Sequence, residues 1–190
     1  MDRDRALLRH FLAAIAYRAQ KAVRGAPEDY PDFSAGHQVR TPAEIVRHMT
    51  GLMGFACKLL QGDSCPVRPD PLPTFNDEIA RFHQALQSVS DLLATDTPLQ
   101  DISATQLLQG PLSDVMTHVG QLALLRRLAD APISPEDFIY ADIQPERLGA
   151  VRGGRDPRGI AARPDDFLGL AARRGEPLLV NVHQGERGAA

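Results

Sequence analysis

The chain is 190 residues long, 43% apolar and 5% aromatic, with no tryptophan. That is enough apolar matter to build a core, and it argues against disorder of the whole chain. The 21 basic and 24 acidic residues leave a net charge of −3, which argues against a nucleic-acid binder with its concentrated basic face. Two cysteines, Cys57 and Cys65, are too few for a disulfide framework or a multi-cysteine zinc module. No run of about 18 apolar residues marks a membrane span. The mixed charges of Met1-Asp2-Arg3-Asp4-Arg5 lead into no apolar signal core, so the expected location is the cytoplasm.

Residues 3–24 place Leu8, Phe11, Leu12, Ile15, Ala19 and Ala22 at three- and four-residue steps, the spacing of one helix face. Gly25 and Pro27 stop this helix, and a loop runs to about Arg40. Thr41-Pro42-Ala43-Glu44 predicts a restart. Threonine caps free amides, proline suits the first helical position, and Glu44 completes a capping box. This second helix reaches about Gln61, with Ile45, Met49, Leu52, Met53, Ala56, Leu59 and Leu60 as its buried side.

Pro66, Pro69, Pro71 and Pro73 exclude a helix interior between 62 and 74. Thr74 then caps a third helix, running to about Ala94 and buried through Ile79, Phe82, Leu86, Val89 and Leu93. A fourth runs from about Ala104 to Ala129, with Leu108, Leu112, Val115, Val119 and Leu122 on one stripe. Gly110-Pro111 can break its beginning and move its start to near Leu112. Four helices, each about 30 Å long at 1.5 Å per residue, predict an all-α four-helix bundle. More than half of the glycines follow Asp130, where apolar islands such as Asp166-Phe167-Leu168 and Leu178-Leu179-Val180 are short. The expected division is a bundle over 1–140 and a C-terminal extension over 141–190, partly packed and partly flexible.

Among six histidines, His48 falls on the predicted buried stripe Ile45, His48, Leu52, Phe55 or Ala56, Leu59. A lone histidine there is commonly a core residue with one hydrogen-bond partner. His118 has Asp114 four residues before it, so both lie on one helix face, at the rim of the Leu112–Leu122 stripe. A carboxylate and an imidazole one turn apart, joined by an imidazole from a neighbouring helix, make a three-ligand metal site with room for water or substrate. The bland alternative is a solvated Asp–His pair. Gly153-Gly154-Arg155 has no strand before it and no helix start after it, so it is no phosphate loop. Arg126-Arg127 suits a helix C-terminus or an anion at a groove mouth. Gly120, costly inside a helix, marks a close approach of another segment.

The stretch from Gly110 to Asp130, above all the His-x-Gly-Gln segment His118–Gln121 and the following Leu-Arg-Arg, resembles the last bundle helix of the DinB-like superfamily. Thr41-Pro-Ala-Glu-Ile-Val-Arg-His48 is similar to the start of that family's second helix. The resemblance covers about residues 1–140 and extends to mycothiol-dependent maleylpyruvate isomerase and the bacillithiol transferases. It implies a divalent metal held by one histidine of the second helix and two histidines spaced by four on the last. His48 and His118 match two of those positions, and Asp114 stands where the other histidine is usual. The implied set is two histidines and one carboxylate, which suits zinc first and also nickel, iron or manganese. Gln121 is then an outer-shell or substrate contact.

The resemblance implies a metal-dependent enzyme, a thiol S-transferase or hydrolase, acting on a small molecule such as a low-molecular-weight thiol. The alternative is a non-catalytic helical binding or stress-response protein with a degenerate metal site, which Asp114 favours. A twofold homodimer is also expected of a bundle this size.

Overall fold

The computed structural model describes residues 2–61, 67–95, 99 and 102–149. The expectations for Cys65, for the Gly153–Arg155 segment and for the rest of the extension from residue 150 onward lie outside the described residues. Among those described, all regular structure is helical: α1 (Arg3–Val23), α2 (Pro42–Gln61), α3 (Phe75–Ala94), α4 (Ala104–Leu107) and α5 (Ser113–Leu128), with 3-10 turns at Tyr30–Asp32 and Phe138–Tyr140. None of these helices is long and apolar enough to cross a membrane.

Local chemistry sets the helix starts. The Thr41 amide donates to Glu44 Oε2 at 2.8 Å. Thr74 Oγ1 accepts from the Asp77 amide at 3.1 Å, and Ser103 with Gln106 forms a complete capping box for α4. Each device satisfies amides that the first helical turn leaves bare. Helix α1 ends differently, on the buried guanidinium of Arg126. It donates to the carbonyls of Ala22, Arg24 and Gly25 from α1's end, and to Ala131. Arg126 is therefore taken up on backbone carbonyls and is not an anion holder at a groove mouth.

Helices α1 and α2 each pack against both α3 and α5, so four long helices surround one core. Leu12, Ile15, Met49, Met53, Leu86, Leu93, Leu112 and Leu122 are fully buried in it. Tyr30, expected in a loop, is also buried, and its hydroxyl donates to the Leu122 carbonyl at 2.7 Å. Glu78 is buried between Arg47 and Arg81 and accepts from the Leu72 amide, which ties the segment before α3 to α2. The segment 131–149 returns over the bundle. Its Leu148 is buried, Gln20 donates to the Gly149 carbonyl, and Glu136 accepts from Tyr17 and Lys21.

The break at Gly110-Pro111 is present. Residues Leu108–Leu112 form one π-type turn between α4 and α5, with Gly110 at φ −90° and ψ −110°. Proline removes an amide and crowds the preceding turn. Ser113 answers this locally, its hydroxyl donating to the Leu108 carbonyl at 2.6 Å. Gly120 is not a point of close approach: a methyl group built there meets nothing within 4 Å among the described residues.

Candidate metal centre

Asp114 and His118 stand in the first two turns of α5, directly after the π-type turn. His118 Nε2 lies 3.4 Å from Asp114 Oδ1. His48 of α2 approaches from the neighbouring helix. Its ring meets that of His118 edge to face, with centroids 4.7 Å apart and planes at 83°. One ligand atom from each of the three residues lies within 4.8 Å of the others. The three predicted ligands therefore do come together, and as a set they can hold a metal ion.

The structure places His48 differently from the expectation in one respect. It is half-buried at the rim, with Leu52 and Leu59, while Phe55 on the same stripe is exposed. The true core stripe of α2 is Ile45, Met49, Met53, Ala56 and Leu60, about 100° around the helix from His48 at 3.6 residues per turn. His118 is buried, and the Asp114 side chain is 50% exposed. The group thus opens on one side to solvent.

Protonation favours ligation. Gln121 Oε1 lies 2.7 Å from His118 Nδ1. A carbonyl oxygen only accepts, so His118 Nδ1 carries a proton, and Nε2 is the ring nitrogen turned toward Asp114. Burial, then the positive charge of Arg40, then His118, hold the His48 pKa below its ordinary 6.5, against the opposite pull of Asp114. His48 is consequently neutral at pH 7. Where His118 Nε2 is unprotonated, its lone pair and the Asp114 carboxylate oxygen are two donors that a cation between or beside them would satisfy.

The distances fit a small ion. Two donors about 2.1 Å from a tetrahedral centre are about 3.4 Å apart, and no two donors at that range exceed about 4.2 Å. The His118–Asp114 separation of 3.4 Å already matches the first figure. The widest separation in the set is at most 4.8 Å, about 0.6 Å beyond that limit, so the three residues must draw together by up to that much to share one ion. Gln121, one turn from His118, holds the imidazole by its far nitrogen, as outer-shell partners of metal-binding histidines do.

No family model matches the chain, and neither a curated protein nor a solved structure matches it. The site therefore rests on its own geometry. Arg40, whose charge reaches His48, went unnoticed in the sequence. It precedes the α2 cap and belongs to no stripe, and a charge acting through space leaves no periodic signal.

Proposed function

We propose that His48, Asp114 and His118 hold a divalent metal in an enzyme resembling the DinB-like thiol transferases, with zinc as the first choice and nickel, iron or manganese as others the same donors accept. The observation that supports this most is the pairing on His118: its Nδ1 is taken by Gln121 and its Nε2 faces Asp114, with the His48 ring alongside. A divalent ion lowers the pKa of a thiol or water that reaches it and so supplies a nucleophile at neutral pH.

The chain's own groups have separate parts. Gln121 fixes the His118 proton and ring orientation. Asp114 contributes the negative charge that two neutral imidazoles lack. Arg40 places a positive charge near His48, which favours a thiolate or another anionic group approaching the open side. The proposed substrate is a small molecule, with a low-molecular-weight thiol first. The fold type proposed with it is the DinB-like four-helix bundle.

Elemental analysis of protein purified without chelator or metal-affinity tag is expected to show stoichiometric divalent metal. His48→Ala, Asp114→Asn and His118→Ala are each expected to remove most of it, since three ligands leave little redundancy. Metal that survives all three single substitutions would overturn the assignment. The half-exposure of Asp114 supports the second reading, a binding or stress-response protein that holds metal without turnover. Metal-dependent transfer of a small thiol to an electrophilic acceptor separates the two.

A further inference from the structure

What lies beside the three ligands is decided by α2. Residues three and four apart are neighbours on a helix surface. From His48 toward the C-terminus of α2, that spacing gives Leu52, Phe55 and Leu59 as one row. Leu52 and Leu59 are half-buried and pack on the core, whereas Phe55 is 41% exposed. No other phenylalanine among the described residues is so exposed. It stands about 10 Å along the helix from His48, at 1.5 Å per residue.

The row has a bank on each side. Gly51 is three residues from His48 and four from Phe55, and there the segment before α3 lies directly on α2. A methyl group at Gly51 would come 2.5 Å from the Val67 carbonyl and 3.5 Å from Pro69 Cδ. Val67 is itself 42% exposed, and Lys58 stands in line with Gly51 on the same bank. On the other side α5 and the π-type turn both pack against α2, and from there Asp114 and His118 reach His48.

The two directions away from His48 differ in polarity. Toward the start of α2 stand Glu44, one turn away, and Arg40. Toward its end the row carries no polar side chain. A single exposed apolar residue is ordinary on a protein surface. Phe55 is set apart by its place, in line with a metal ligand, between two banks and continuous with two further leucines. Covering such a row removes apolar area from water, and a ligand already held at its end has that gain within reach. We infer that the thiol taken by this centre carries an apolar chain, its sulfur at the metal and its chain laid over Leu52 and Phe55 toward Leu59. The inference rests on the metal reading above and narrows its substrate to alkyl or aryl thiols, over thiols whose remainder is charged or rich in hydroxyls.

Absorption spectra of the full-length protein loaded with cobalt(II) test this, since a thiolate bound to cobalt adds a sulfur-to-metal charge-transfer band. The probes are ethanethiol, n-butanethiol and n-hexanethiol, which share one metal-binding group and differ only in chain length. The expected result is an affinity that rises about twofold per methylene, against about fourfold for a methylene buried on all sides. Phe55→Ser is expected to flatten that rise and Phe55→Leu to preserve it. Equal affinity for the three thiols, or a rise that Phe55→Ser leaves intact, would overturn this inference and leave the metal assignment standing. No band with any of the three would overturn both together. A homodimer that Phe55→Ser dissociates in light scattering, with no dependence on chain length in wild type, would assign the row to a second copy and overturn the inference as well.

Discussion

At the α2–α5 rim, two imidazoles stand beside a carboxylate and open to solvent on one side, whereas the imidazole of His83 on α3 is closed in among hydrocarbon and held by the backbone of the segment 131–149. In both places an oxygen that only accepts holds Nδ1, from Gln121 for His118 and from Leu148 for His83. Each ring therefore carries a proton on Nδ1 and turns its Nε2 into a different neighbourhood. What differs is the opposite wall. Beside His118 stands the Asp114 carboxylate, which with His48 completes a group that could hold a cation. Beside His83 stands the Phe82 ring, with centroids 5.6 Å apart, and no charged group lines the cavity they share.

Substitutions on the two sides should separate cleanly. His118→Ala is expected to weaken divalent-metal binding by more than about 100-fold, since even outer partners of metal ligands are worth about 10–100-fold. In the same titration calorimetry His83→Ala should leave metal affinity unchanged, and equal losses would erase the distinction. Gln121→Leu, on the exposed side of α5, is expected to cost about 10–100-fold in metal affinity with no change in melting temperature. His83→Ala carries its penalty in stability instead. The Leu148 carbonyl loses its donor and a void opens, at a cost of about 2 kcal/mol, which thermal unfolding should show as a fall of about 4–8 °C.

A smaller change sharpens the picture of α5. Gly120→Ala meets no neighbour among the described residues, so the gain in helix propensity is expected to stabilise the protein by about 1 kcal/mol. The pH dependence distinguishes the sites last. Burial lowers the folded-state pKa of His83 below 6.5, so the unfolded chain binds more protons between that lowered value and 6.5. In metal-free protein the His83 contribution is therefore whole above about 6.5 and is lost as pH falls from there through the folded pKa. Denaturant titrations of wild type and His83→Ala should converge over that interval. Metal release should also accompany acidification below about 6.5, because protons compete for the same lone pairs.

Much of this was legible where the information is local. Thr41 with Glu44, Thr74 before α3, the Gly110-Pro111 break and the four-residue step from Asp114 to His118 are short-range devices, and the structure carries each of them. The failures are at long range. Tyr30 and Leu148 enter the core from segments without periodicity, through partners more than sixty residues away. His48 was placed one stripe too deep because α2 has a buried side and an adjoining half-buried one, both rich in apolar residues. A sequence shows that a face is apolar but not which neighbour covers it.

The π-type turn at Leu108–Leu112 works as a vernier on the last helix. In an unbroken α-helix, Asp114 would lie two turns beyond Leu107 and within about 20° of it, at about 100° per residue. Leu107 is fully buried, so the carboxylate would be driven into the core, with His118 following on nearly the same line. One extra residue in the turn rotates everything after it by about 100°. That slip aligns Leu112, Val115, Val119 and Leu122 with Leu107 as one continuous buried seam and swings Asp114 and His118 out to its edge. Deleting a single residue upstream of Gly110 and straightening the helix are therefore not equivalent operations. The first keeps the downstream phase, and the second would bury the Asp114 carboxylate.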